Sequence, residues 1–379
     1  MALRTQQIRS IDTVEASHWN ALAGTHCPFL RHEFLAALEH TDCVGPGTGW
    51  EPAHLLLHDA HGLVGAVPAY LKSHSWGEFV FDHGWAQAYE RVGLDYYPKL
   101  LAAVPFSPAT GPRLLVRPDA DHDTVARALI QRLQDITQSG ELSSAHLLFP
   151  DESDRQLLEQ EGWLLRRDCQ FHWRNEGYAD FEAYLATFTA EKRKKTRRER
   201  RRCEEAGIAF RTLRGPDLTP ALLDVIYRFH AETFLRHGNQ PYLTRAFFTE
   251  IAQTLGDRLM VKLAVQGDRP VATAIFFWSQ DALYGRYWGA LEDCHSLHFE
   301  CCYHQGIEFC IEQGIQRFEP GTQGEHKISR GFAPQYTWSA HYIPDARFRS
   351  AIAGFLTREG PAVEAYATQV AQHTPFRRA

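Results

Sequence analysis

The chain has 379 residues, 44% hydrophobic and 23% charged, with a formal net charge of -6. That is the profile of a globular protein with mass for two cores, not of a disordered chain or an overall basic nucleic-acid binder. Eight cysteines occur without a C-x-x-C pair, the first ten residues are polar, and no apolar run reaches membrane-spanning length; free thiols, a cytoplasmic location and no membrane span are expected.

Taken in order, residues 12–40 read as helical, with Trp19, Leu22, Phe34, Leu35 and Leu38 inward. His54–His58 and Leu63–Leu71 read as strands around the turn Asp59–Gly62, and a third strand begins at Glu78–Phe81 and closes on Asp82-His83-Gly84-Trp85. A strand over Ala102–Phe106 leads into the loop Ser107–Pro112, with Pro105–Gly111 spanning the junction. Val125, Leu129, Leu133 and Ile136 mark a helix over 122–138. A strand over Ala145–Phe149, a helix over Asp151–Gly162 and a strand over Leu164–Trp173 follow.

The second half repeats the plan. Asp180–Glu205 reads as one helix ended by Gly207, then a strand over Ile208–Leu213 and helices over Thr219–Arg236 and Thr244–Leu255. Strands follow over Leu259–Val265, Val271–Trp278 and Ala282–Trp288, then a helix over His298–Gln313, a short strand over Gln316–Phe318, a strand over Thr337–Ile343 and a last helix over Phe348–Ala371. The halves rhyme at an offset of about 205–214 residues, which predicts duplicated domains, 1–174 and 175–379. In that alignment the loop at 105–111 is the plain partner of Glu319–Gly324, and Asp82 and His83 hold a place related to His298 and Glu300. Only the second half carries a dense polar cluster after its loop, so the first is expected to be a scaffolding copy and the second the working one.

Four stretches carry chemistry. Arg317–Phe332 gathers Glu319, Thr322, Gln323, Glu325, His326, Lys327 and Arg330 among three glycines beyond a short strand, where α/β proteins place ligands. Glu325 or His326 suits a general base, and Lys327 and Arg330 suit a carboxylate or phosphate; a salt-bridged loop cap is the plain alternative. In Tyr284-Gly285-Arg286-Tyr287-Trp288-Gly289, two glycines within an aromatic strand predict a bulge or close backbone approach, with Arg286 facing a ligand. Lys192–Arg202 holds nine cations and one acid, a charge of +8 against -14 for the rest of the chain. Its like charges repel at helical spacing, and a polyanion would relieve them: RNA, a phosphate-bearing carrier or acidic residues of this chain. His295-x-x-His298-x-Glu300-Cys301-Cys302 superficially reads as a zinc site, but the thiols lack the paired spacing of one, and no metal is expected.

Leu283–Gly289, Leu297–Glu300 and Gln323–Phe332, with the mixed strand and helix order from residue 12 to Pro375-Phe376, resemble the FemAB-like branch of the GNAT acyltransferase superfamily. The resemblance implies an α/β protein of two tandem GNAT-like domains, each a mixed, mostly antiparallel sheet flanked by helices. It implies acyl transfer, with the basic helix similar to the start of the second domain in Fem-type peptidyltransferases, which move an aminoacyl group from aminoacyl-tRNA to an amine. One departure bears on the carrier: where GNAT enzymes cradle the coenzyme A pyrophosphate in a glycine turn, this chain has Ala290–His298 without a glycine. No bound cofactor is expected. Aminoacyl-tRNA is favoured as co-substrate, and a small-molecule or peptide amine, peptidoglycan-related, as acceptor. Glu325, His326 and Lys327 are then expected to be catalytic. Tyr284, Arg286, Trp288, His298, Glu300, Glu319, Gln323 and Arg330 are expected to bind substrate, and Lys192, Arg193, Arg197, Arg198 and Arg201 the anionic carrier. An acyl-CoA-dependent N-acyltransferase and a non-catalytic module binding RNA or a cell-wall precursor are the alternatives.

Overall fold

The computed structural model describes residues 3–291, 296–322 and 324–377. By contact the chain divides into two units, Met1–Asp168 with Tyr336–Ala365, and Cys169–Gln335 with Tyr366–Ala379. Relative to the expected boundary, residues 336–365 pack with the first unit.

The elements run β1 (Arg4–Ile8), α1 (Ala16–Ala23), α2 (His32–His40), β2 (Trp50–Pro52), β3 (His54–Asp59), β4 (Gly62–Val67), β5 (Ala69–Lys72), α3 (His83–Arg91), β6 (Lys99–Ala102), β7 (Leu115–Val116), α4 (His122–Ser139), β8 (Ala145–Leu148), α5 (Glu152–Gln160) and β9 (Leu164–Arg174). Then come α6 (Phe181–Ala186), α7 (Ala190–Glu205), β10 (Ile208–Arg214), α8 (Pro220–Arg236), α9 (Arg245–Thr254), β11 (Leu259–Gln266), β12 (Arg269–Trp278), β13 (Ala282–Ala290), α10 (Leu297–Phe299), a π turn (Glu300–His304), α11 (Gln305–Gln313), β14 (Arg317–Glu319), β15 (Ala333–Tyr342) and α12 (Ala346–Ala371).

In the first unit, β1, β3, β4 and β7 form an antiparallel sheet. Beside it β2, β5 and β6 are antiparallel, β6 runs parallel to β8 across α4, and Ser339–Tyr342 of β15 lie antiparallel to β8. α4 starts where Asp121 accepts the Thr124 amide, and buries Val125, Leu129 and Leu133 in the first core.

In the second unit, β10 to β13 are antiparallel, β13 is parallel to β14 across the 297–313 helical segment, and β9 closes antiparallel on β14. The core gathers Phe171, Trp173, Tyr184, Phe188, Met260, Phe276, Leu283, Ile307 and Phe318. Each unit thus has the expected GNAT-like plan: antiparallel strands entering a parallel pair bridged by a helix.

Several expected boundaries move, each for a local reason. No strand forms at 78–81, and His83–Arg91 is helix. The strand near 102–106 lies instead at Lys99–Ala102, disguised by a lysine that is wholly buried with Glu78 at 2.8 Å and Asp82 at 2.5 Å. Asp82, which also accepts from Tyr96 at 2.7 Å, therefore serves this internal network. The helix over 12–40 breaks around Gly24 and Pro28, and the strand over 63–71 breaks at Pro68, which has no amide hydrogen to donate. The helix over 180–205 breaks at 187–189, where Phe188 turns into the core against Phe376. The alignment of the halves shifts as well. The strand ends that correspond are β8 and β14, each second in its parallel pair, so the counterpart of the loop after β14 is the segment before α5 and not 105–111.

Gly289 sits where a Cβ would lie 1.9 Å from the Phe229 carbonyl of α8. Gly289→Ala is expected to lower stability by about 3 kcal/mol, read as a shift in the urea unfolding midpoint at unchanged m-value.

Candidate active site

The second unit brings the polar loop, β13 and the π turn together. β13 carries the predicted bulge: Ile275 pairs with Tyr287 and Phe276 with Gly285, leaving Arg286 as the extra residue. The β13–β14 ladder ends at Tyr284 opposite Glu319, and β13 continues to Ala290 beyond it. Tyr284 and Glu319 are both buried and both held by Arg317, whose Nη2 donates to the Tyr284 hydroxyl at 3.4 Å and whose Nε donates to Glu319 Oε1 at 2.8 Å. These two residues, expected to bind substrate, brace the strand end from inside.

Past Pro320 the chain turns through Gly324, at a φ of 111°, into a 3-10 helix over Glu325–Arg330, which stops at Gly331, at a φ of 87°. This short helix separates the functional groups by depth. Glu325 and His326 are exposed; Lys327 and Arg330 are buried. Glu325 Oε1 accepts from Tyr366 Oη at 3.0 Å. His326 Nε2 hydrogen-bonds Tyr303 Oη at 2.9 Å. Partial burial of its ring, helped by the charges of Arg330 and Lys327, holds the His326 pKa below the ordinary histidine value, so the ring is neutral near pH 7. Lys327 Nζ donates to the Gly321 carbonyl at 2.7 Å. Burial and the nearby Arg286 charge bring its pKa down to about 7.

His298 stands among rings, 5.2 Å from Trp288, 5.3 Å from Tyr303 and 6.0 Å from His326 between centroids. Burial, with the cationic neighbours, pushes it down to about 4. His298 thus touches both the Trp288 ring and the His326 ring. Arg286 donates to its own neighbour's carbonyl, Gly285, at 3.1 Å and packs near the Tyr284 ring.

Arg330 and Glu300 are committed within the protein. Arg330 lies over the Phe299 ring at 3.4 Å, and donates to the His326 carbonyl at 2.7 Å and to Glu199 at 2.7 Å. Glu300 pairs with Arg200 at 3.2 Å and accepts from Gln305 at 2.8 Å. Gln323 lies outside the described residues, as do residues 292–295, His295 among them, within the segment read against a coenzyme A turn. Among the described residues no group of three or more His, Cys, Asp or Glu is placed to hold a metal.

The basic stretch folds as α7 with two faces. Thr196, Glu199 and Cys203 are buried at helical spacing. Lys194, Lys195, Arg197, Arg198, Arg201 and Arg202 are exposed, while Lys192 and Arg193 are half-buried. Arg197 pairs with Glu182, and Arg200 with Glu308 as well as Glu300.

Tyr303, Glu199, His304 and Phe299 belong to this assembly without having been singled out in the sequence. Glu199 had one visible mark, as the single acid in a run of cations. The other three depend on the π turn, which no periodicity announces.

The chain matches the family profile FemAB_like, described as peptidoglycan biosynthesis/recognition, over residues 10–378. The chain belongs to the FemAB-like family. This FemAB-like protein is an acyltransferase. Among solved structures it is similar to FemX, at 10% identity and a TM-score of 0.54, covering 92% of this chain and 100% of that one. It is also similar to a C-terminal domain assigned to a lysylphosphatidylglycerol synthetase of Agrobacterium fabrum, at 8% identity and a TM-score of 0.55, covering 92% and 96%. A third is L-PGS from Bacillus licheniformis, at 10% identity and a TM-score of 0.51, covering 90% and 96%. At such identities the likeness concerns the fold. No curated protein sequence matches the FemAB-like chain.

Proposed function

We propose that the second unit transfers an aminoacyl group from aminoacyl-tRNA to an amine acceptor of the peptidoglycan-precursor class. The observation that carries this reading is α7: one side of the helix is lined with exposed cations, while its buried face is tied by Glu199 to the His326–Lys327 loop. A phosphate backbone is the natural occupant of such a face, through counterion release.

In the reaction the acceptor amine attacks the ester carbonyl of the aminoacyl group, and the tRNA 3′ hydroxyl leaves. An amine is mostly protonated near pH 7, so its ammonium proton must be removed before it attacks, and the departing 3′ oxygen takes up a proton as the ester C–O bond breaks. His326, neutral and held by Tyr303, is the base of choice, and Glu325 is a neighbouring carboxylate in reach of solvent. Lys327 in its charged form sits beside the reacting carbonyl and stabilises the developing oxyanion, with backbone amides of the bulged Gly285–Gly289 stretch as further donors. Trp288 and His298 shape the aminoacyl pocket. Arg286 holds an acceptor carboxylate or phosphate. Lys192, Arg193, Arg197, Arg198 and Arg201 hold the carrier. The parting of β13 from β14 beyond Tyr284 favours one second reading, since an extended amide-bearing arm such as that of coenzyme A would add to the exposed edge of β13.

With aminoacyl-tRNA as donor and a small amine as acceptor, His326→Ala is expected to slow transfer by about 100- to 1,000-fold, and Glu325→Gln by less than about tenfold. Transfer at the wild-type rate in both variants would remove the base from this loop.

A further inference from the structure

Four contacts of one helical segment, from residues 299, 300, 303 and 304, join α7 to the polar loop. Phe299 lies beneath the Arg330 guanidinium at 3.4 Å, and Tyr303 bonds His326 at 2.9 Å; both face the loop. Glu300 pairs with Arg200 at 3.2 Å, and His304 Nε2 lies 3.1 Å from Glu199 Oε2; both face α7. The π turn at 300–304 thus holds the loop with one row of side chains and the basic helix with the next.

Glu199 closes the circuit. Its Oε1 accepts from Arg330 and its Oε2 meets His304, so both carboxylate oxygens are engaged. Arg330 passes the connection on by donating to the His326 carbonyl at 2.7 Å. Glu199 is 5% exposed and Arg330 3%, so their attraction is screened little by solvent. On the opposite face of the same helix, Lys194, Arg197 and Arg201 are exposed and lie three and four positions apart, where like charges repel. A polyanion there removes the repulsion, and the buried pair is the contact that joins this helix to the backbone of His326.

We propose that Glu199 is a positioning residue: it couples polyanion binding on the outer face of α7 to the setting of the His326–Lys327 loop, so that the loop takes its working arrangement when the carrier is docked. This rests on the reading of α7 as the carrier's dock.

The test follows amide hydrogen exchange at 324–332 in the full chain, with and without uncharged tRNA at fixed ionic strength. In the wild type, tRNA slows exchange in the loop by about fivefold or more. In Glu199→Gln, tRNA binds within about twofold of wild type, because the exposed cations are untouched, but the loop no longer responds. The same variant loses about tenfold in kcat at unchanged KM for aminoacyl-tRNA. Because one substitution strands the Arg330 charge, Glu199→Gln is paired with the double variant Glu199→Gln/Arg330→Gln, which removes both charges and recovers the melting temperature. Recovered stability with a still-silent loop supports coupling. A loop that responds in Glu199→Gln, or that regains its response along with stability in the double variant, overturns it. Should the wild type bind no tRNA, the carrier reading fails on its own, and the free proteins then decide the link: faster exchange at 324–332 and a displaced His326 titration in Glu199→Gln support it, and unchanged exchange and titration overturn it.

Discussion

Lys327→Met is expected to lower kcat/KM by about 100- to 1,000-fold while leaving the fold intact. The side chain is buried, and methionine fills its apolar stem without an unpaired ammonium, so the lost function is the charge and not the packing. The pH dependence tests the same assignment. Lys327, with its pKa brought to about 7, carries its charge below that value and loses it as pH rises. His326, with its pKa below the ordinary histidine value, takes a proton as pH falls. The kcat/KM profile of the free enzyme is therefore expected to be bell-shaped, falling on the acid side as His326 protonates and on the alkaline side near pH 7 as Lys327 deprotonates. In Lys327→Met the alkaline limb disappears and the acid limb stays. An alkaline limb unchanged in Lys327→Met would assign it to another group.

Reversing three exposed cations of α7, in Arg197→Glu/Arg198→Glu/Arg201→Glu, is expected to weaken tRNA binding by about a hundredfold or more at low salt and to flatten the slope of log K against log salt by about 2–3. The melting temperature should hold, because all three residues are exposed and the relief of like-charge repulsion along the helix offsets the loss of the Arg197–Glu182 surface pair. Filter binding across a salt series, with thermal unfolding of the same samples, checks both halves. Binding that keeps its affinity and its slope would make this face a solvated surface with no carrier on it.

The parts that were legible in the sequence are those whose pattern is local. α4 is amphipathic with a capping aspartate, and β11, β12 and β13 are apolar runs between turns. Gly285 and Gly289 announced an irregular β13, and the ladder shifts at Arg286. The parts that were not legible depend on residues distant in sequence. Lys99 reads as a surface residue until Glu78 and Asp82 are placed beside it. Phe188 breaks an apparent helix because Phe376 awaits it in the core. In the candidate site, the polar character of 325–330 was plain, but the order of exposure was not: a 3-10 turn puts Glu325 and His326 outside and Lys327 and Arg330 inside. Arg330 looked like a ligand-binding arginine, yet its partner is the one acid of the basic run, 131 positions away.

The proposed function requires that an RNA-borne acyl donor is discharged at the loop of the second unit. The direct measurement offers the purified protein a mixture of charged tRNAs and a panel of acyl-CoAs with an amine acceptor, and follows loss of label from each donor and its gain on the amine. Aminoacyl-tRNA is expected to be discharged in step with amide formation, and His326→Ala and Lys327→Met to slow both by about 100- to 1,000-fold. Consumption of acyl-CoA alone, or of no donor at all, would contradict it.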